Sequence, residues 1–223
     1  MTLEICHLYG NLMNTYGDNG NLLMLQYAAK SQNVKVNTTL VSLGDDFNAD
    51  KYDIVFFGGG QDYEQSLVSK DIQTKKNELL KYIENDGVVI GICGGYQLLG
   101  HYYINASGQY LNGIGAIDFY SDSKSSTRLI GDITTYNQRF DITLYGYENH
   151  AGRTYLGKSV TPLGEIKEGY GNNGEDKTEG CMYKNTFCSY FHGPILVRNQ
   201  ALTKVIIDLA LANMNRRQKY INA

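Results

Sequence analysis

Two apolar runs constrain this chain more than any other feature. Tyr52–Phe57 (YDIVFF) and Val88–Ile92 (VVIGI) are continuous rather than alternating, and each stops at glycines: Gly58-Gly59-Gly60 after the first, Gly94-Gly95 just past the second. A strand that is apolar on both faces has to be covered on both faces, the condition of a parallel sheet inside an α/β layer structure. The segment between the runs supports this. Asp71–Asn85 places Ile72, Leu79 and Ile83 on one helical face, with Gly87 positioned to end the helix. Upstream, Glu4–Leu8 and Val34–Leu43 read as strands on either side of a helix at Gly20–Asn33, whose Leu22, Leu25 and Ala29 share a face. Alternating strands and helices with right-handed crossovers predict a mostly parallel central sheet flanked by helices.

Beyond residue 110 the pattern changes. Arg128–Thr135 and Phe140–Tyr145 are expected strands joined by a turn, and Gly164–Gly180, rich in Gly, Asn, Asp and Glu, reads as an ordered loop. Ser189–His192 is a short strand running into Gly193-Pro194, and Ala201–Met214 is a helix. No repeat or linker interrupts the sequence, so residues 1–215 read as one domain and 216–223 as a tail. The 223 residues suffice for a core without crosslinks. A net charge of −3 with no basic stretch argues against a nucleic-acid partner. No apolar run approaches the ~18 residues of a membrane span. Met1–Tyr9 carries Glu4 and no basic region, so no signal peptide is expected and the location is expected to be cytoplasmic. Thiols stay reduced there. Cys6, Cys93, Cys181 and Cys188 contain no C-x-x-C pair, so neither a disulfide framework nor a metal site is expected.

The sharpest local signal is Gly91-Ile92-Cys93-Gly94-Gly95. Small residues two before and two after a nucleophile, between a buried strand and a helix, form the nucleophile-elbow pattern. The tight turn strains the nucleophile's backbone, and the helix N-terminus behind it favours a thiolate. The same residues also suit an ordinary buried cysteine or a phosphate-binding turn. A thiolate nucleophile is usually served by a histidine. His7 lies inside the first strand and His101 after a short helix, both structural positions. His192 ends a strand, where α/β sheets gather functional groups, and is the expected base; His150, in the polar turn after a strand, is its competitor. Backbone N–H groups at Gly58–Gly60 and at Gly94 are the expected oxyanion donors, with Gly59 and Gly60 the candidates in the first turn.

Taken in order, these segments resemble the class I, triad-type glutamine amidotransferases. The features are a strand ending in Gly-Gly-Gly, then Gly-Ile-Cys-Gly-Gly-Tyr-Gln, then a late strand ending in His-Gly-Pro. Tyr147-Glu148-Asn149-His150 with Gly152-Arg153-Thr154 is similar to the cobyric-acid-synthase-like branch. Leu12–Asn21, Gly169–Gly174 and Thr178-Glu179-Gly180 resemble the small glutaminase subunits of lipid II isoglutaminyl synthases. The resemblance spans essentially the whole chain. It implies a flavodoxin-like amidotransferase fold in which Cys93 attacks the side-chain amide of L-glutamine and His192 serves as acid and base. It implies a heterodimer with a MurT-type, Mur-ligase-like subunit that holds ATP and Mg and acts on lipid II, with no cofactor in this chain. It also implies a substrate-binding role for Arg128, suited to a carboxylate, and a lesser one for Gln97.

One departure from the family pattern matters. The acid usually found two residues after the histidine is replaced by Pro194. Glu148 is one possible stand-in and a carboxylate from the partner is another; without either, His192 lacks the group that orients it. The chemistry is also compatible with a different, corrinoid-like acceptor. A non-catalytic binding subunit and a cysteine peptidase of the same fold are the other readings, disfavoured by the intact Cys93 and His192 and by the lack of any cue for a peptide groove.

Overall fold

The computed structural model describes residues 2–123 and 127–221, with the backbone alone for 216–221. β1 (Thr2–Leu8) leads through a 3-10 turn at Thr15–Gly17 into α1 (Asn19–Ser31), β2 (Lys35–Val41) and β3 (Ile54–Phe57). Next come α2 (Asp62–Glu84), β4 (Val88–Ile92) and α3 (Gly94–Leu99). Short strands β5 (Tyr102–Ile104), β6 (Tyr110–Asn112) and β7 (Phe119–Asp122) precede a long hairpin, β8 (Leu129–Asn137) and β9 (Ile142–His150). β10 (Arg153–Leu156), β11 (Gly164–Glu168), β12 (Thr178–Glu179), β13 (Cys181–Tyr183), β14 (Thr186–Ser189) and β15 (Phe191–His192) follow. The last elements are α4 (Ile195–Arg198) and α5 (Gln200–Ile221).

The main sheet has the order β13-β14-β4-β3-β1-β2. All its pairings are parallel except that of β13 with β14. Its inner strands β3 and β4 are apolar on both faces for the reason anticipated. Cys6, Leu8, Val55, Phe57 and Val89 pack with Val68, Ile72 and Leu79 of α2. Leu3, Ile5, Ile54, Phe56 and Ile90 pack on the other side with Leu22 and Leu25 of α1 and Leu202 and Ile206 of α5. The switch in strand order falls at β1 and β3, and the carboxyl ends of β1, β3, β4 and β14 meet at one edge, where α/β sheets bind ligands.

Two further sheets sit beside this layer: β10-β7-β5-β6, antiparallel except for the parallel pair β5–β7, and the antiparallel β12-β11-β8-β9-β15. Four expectations change here. The helix expected at Asp71 begins at Asp62, because its first turn carries polar Asp62 and Glu64 and no side-chain cap marks its start. Gly164–Gly180 is not all loop: β11 and β12 pair with each other, and β11 pairs with β8. Ser189–His192 is not one strand. β14 ends at Ser189 in the main sheet, and after Tyr190 the chain crosses to pair with β9. The segment expected as a tail continues α5 to Ile221, and residues 222–223 lie outside the described ones. No described helix is long and apolar enough to cross a membrane.

Candidate active site

Cys93 stands between β4 and α3 at φ 50°, ψ −104°. That left-handed conformation is costly for a residue with a side chain, and it persists because both flanks are pinned. Cys93 N–H donates to Ser189 O at 2.9 Å, and Gly95 N–H donates to Gly58 O at 3.0 Å. The glycine at 95 is required by close approach: a Cβ there would stand 2.3 Å from Phe57 O, a backbone atom in the middle of the sheet. Gly95→Ala is therefore expected to lose about 1–3 kcal/mol of stability through overpacking, read as a lowered Tm. An unchanged Tm would show that the turn can open.

His192 reaches the site by the strand switch. Glu179, fully buried, accepts Ser189 Oγ–H at 2.7 Å and Tyr190 N–H at 2.8 Å, which holds the chain where it leaves the main sheet. Sequence reasoning did not single out Glu179 by itself; its signal was the Thr178-Glu179-Gly180 segment. His192 is 2% exposed, and neither ring nitrogen has a hydrogen-bond partner among the described residues. The Tyr16 ring lies against the His192 ring at 4.6 Å between centroids.

Glu148 is not at the His192 nitrogens. Its carboxylate accepts Tyr170 N–H at 2.7 Å and Gly171 N–H at 2.8 Å and lies 3.6 Å from His150 Nε2. His150 is stacked on Tyr190 at 3.7 Å, with Nδ1 2.7 Å from Gly152 O. Glu148 and His150 thus tie the Gly169–Gly174 loop to the wall behind His192. Asn172 of that loop accepts Tyr96 O–H at 3.1 Å and donates to Gly180 O at 2.9 Å, fixing the helix after the elbow. The loop is a brace, with Tyr170 left half exposed.

The expected substrate contacts separate. Arg128 donates to Asn149 through Nε and Nη2, both at 2.8 Å, and remains exposed beside β9. Its charge reaches Cys93 and His192 only as a minor electrostatic influence, and its hydrogen bonds go to Asn149. Gln97 is a correction. It is 3% exposed, its Oε1 accepts Gln65 Nε2–H at 2.8 Å and its Nε2 donates to Tyr190 Oη at 3.2 Å, so both ends of its amide are occupied inside the protein. Gly59 is a second correction: its N–H is taken by Asp18 Oδ2 at 2.6 Å, a residue the sequence reading passed over. Gly60 N faces the elbow instead, where a Cβ on Gly94 would approach it to 3.1 Å. The N–H groups of Gly60 and Gly94 are the better oxyanion pair.

The electrostatics of the site differ from the thiolate expected at a helix start. Burial pushes the Cys93 thiol up to about 12, and the Asp18 carboxylate adds to this, against weaker help from Gly94 N–H and Arg128. Desolvation is the largest influence on the thiol and outweighs the groups that favour its anion. Burial, with His150 and Arg128 nearby, lowers His192 to about 4. At neutral pH the resting pair is a thiol and a neutral imidazole. Cys6, Cys181 and Cys188 are fully buried free thiols in the core.

Residues 4–200 match the CobB/CobQ-like glutamine amidotransferase domain. The chain is 54% identical to the Streptococcus pneumoniae lipid II isoglutaminyl synthase (glutamine-hydrolyzing) subunit GatD over 209 residues, covering 94% of this chain and 80% of that one. It is 43% identical to the Staphylococcus aureus subunit of the same name, over 93% of this chain and 84% of that one. A Methanococcus maripaludis probable cobyric acid synthase is 33% identical, but there the match covers only 32% of the larger protein. In fold, the chain resembles a crystal structure of a glutamine amidotransferase, with TM-score 0.61, 14% identity, and 92% and 98% of the two chains covered. It also resembles the glutaminase domain of Trypanosoma brucei CTPS with bound acivicin, with TM-score 0.56, 9% identity and 94% of each chain covered. The chain therefore belongs to the CobB/CobQ-like glutamine amidotransferase family, on the branch that holds the GatD subunits.

Proposed function

We propose that this chain is the glutaminase subunit of a lipid II isoglutaminyl synthase. The observation that carries the reading is the strained Cys93 elbow at the end of β4, bonded through its N–H to Ser189, with the buried His192 three residues further along that same segment. Cys93 Sγ attacks the side-chain amide carbon of L-glutamine while its proton passes to His192. The N–H groups of Gly60 and Gly94 receive the developing oxyanion. His192 returns the proton to the departing nitrogen, releasing ammonia and leaving a γ-glutamyl thioester. It then takes a proton from water, which hydrolyses the thioester to glutamate. Arg128 holds the α-carboxylate of the substrate. The ammonia passes to a MurT-type, Mur-ligase-like partner in the cytoplasm. That subunit, with ATP and Mg, activates the α-carboxylate of D-glutamate in lipid II and yields D-isoglutamine.

Among the described residues of the free subunit no acid is bonded to His192 to fix its tautomer or stabilise its imidazolium, since Glu148 is held by Tyr170 and Gly171. The partner supplies that carboxylate. Steady-state glutaminase assays are expected to show a gain of at least about tenfold when the partner is added, within the ~10⁴ that such an acid contributes in serine triads. Equal rates with and without the partner would sink the idea.

A further inference from the structure

The site holds one ionisable group that the chemistry above does not use. Asp18 follows the turn at Thr15–Gly17, in which Tyr16 and Gly17 both have positive φ (55° and 81°), and it is 1% exposed. Its Oδ2 accepts Gly59 N–H at 2.6 Å, and its Oδ1 is buried without a hydrogen-bond partner among the described residues. No lysine or arginine among the described residues forms an ion pair with it. Burial alone raises the Asp18 carboxyl to about 7, against the Gly59 N–H that lowers it, and a cation set beside its open oxygen would hold it ionised. The Asp18 oxygen is also close to the nucleophile. The point where a Cβ on Gly59 would stand is 3.3 Å from Cys93 Cβ and 3.5 Å from Asp18 Oδ2.

The charges around the nucleophile have the pattern of an amino acid. Arg128 is the cation in electrostatic reach of Cys93; Asp18 and Glu179 are the acids. Glu179 is bonded to Ser189 and Tyr190, which leaves Asp18 as the acid with a free oxygen. The two open charges are joined across the mouth, because Asn149 accepts from Arg128 and donates to the Tyr16 hydroxyl at 3.3 Å, two residues from Asp18. Glutamine is a zwitterion at its α-carbon. Its ammonium stands four bonds from the amide carbon, on the order of 5 Å when extended. We propose that Asp18 receives the α-ammonium group of glutamine, opposite Arg128 on the α-carboxylate, and so makes the site specific for a free α-amino acid. The inference rests on the reading of Cys93 as the glutaminase nucleophile.

Asp18→Asn is the suitable variant, since its side-chain carbonyl can still accept Gly59 N–H while the charge is gone. Two electrophiles separate the roles, used on the full chain alone and with its ligase subunit. Diazo-oxo-norleucine carries the α-ammonium; iodoacetamide is neutral and lacks it. In Asp18→Asn, second-order labelling of Cys93 by diazo-oxo-norleucine is expected to slow about 10- to 100-fold, the contribution of one charged hydrogen bond. Alkylation of Cys93 by iodoacetamide is expected to hold or quicken, because an anion that opposes the thiolate has been removed. The preference for glutamine over glutaramate, its deamino analogue, is expected to fall in parallel. If both probes quicken, Asp18 blocks the site; if both slow, it only shapes the turn; if neither changes, it has no role. Each of these overturns the proposal. A wild-type chain that diazo-oxo-norleucine does not label at Cys93 overturns the glutaminase reading itself, and this inference with it.

Discussion

Cys93→Ala is expected to remove glutamine hydrolysis altogether, a loss of at least about 10⁴-fold in kcat, since deleting a nucleophile leaves only the residual catalysis of binding and the oxyanion donors. The same substitution is expected to abolish the single covalent adduct formed with diazo-oxo-norleucine. Neither outcome depends on the thiol being ionised at rest. With the thiol near 12 and His192 near 4, proton transfer between them is strongly uphill until substrate and a further charge arrive, so the thiol attacks only as its proton leaves. Stability gives a second, independent readout. Backbone strain of the kind Cys93 carries at φ 50°, ψ −104° costs on the order of 1–3 kcal/mol, and alanine keeps it whereas glycine relieves it. Cys93→Gly is expected to be as inactive as Cys93→Ala but to melt about 2–4 °C higher per kcal/mol recovered. Turnover surviving in either variant, or an adduct on Cys6, Cys181 or Cys188, would falsify the assignment.

How much of this was legible beforehand depends on the range of the signal. The elbow was readable because its demands are local. A buried strand, a positive-φ turn and a following helix each leave marks within ten residues, and Val88–Ile92 was placed to the residue. The central sheet was readable for the same reason, since strands covered on both faces need continuous apolar runs. The antiparallel strands were harder. β11 and β12 are short, half polar and paired with distant segments, so Gly164–Gly180 carries no strand periodicity of its own. At the site, Cys93 and His192 were found because thiol and imidazole chemistry is rare in any chain. Asp18 and Glu179 were missed as single residues because a carboxylate in a polar segment looks solvated until the fold buries it. Gln97 was misjudged for the converse reason: its neighbours in sequence point to the substrate, while Gln65 and Tyr190, which hold it, come from other elements. Pro194 signalled a missing acid, but only the structure shows Glu148 committed elsewhere.

His192→Gln carries the other large effect. It keeps the bulk under the Tyr16 ring but removes the imidazole proposed to take the Cys93 proton, so a loss of about 10³-fold or more in kcat is expected in the complex with the partner. The pH profile of the unmutated chain tests how that base is tuned. Burial, then the nearby His150 and Arg128, hold His192 at about 4, so it is neutral and able to accept a proton above that value. In the free chain kcat/KM is therefore expected to show a His192 limb near pH 4, below a separate fall near 7 where the buried Asp18 carboxyl takes up a proton. A carboxylate from the partner set against His192 stabilises the imidazolium and raises its pKa, moving the acid limb of the profile upward towards the ordinary value of about 6.5. Simple closure of the partner over the site would do the opposite, because added burial disfavours the charged ring and drives the limb further down. The direction of that shift, measured as kcat/KM against pH with and without the partner, therefore distinguishes a donated acid from mere occlusion. A limb that stays fixed or moves down would leave the catalytic histidine to work without a third group.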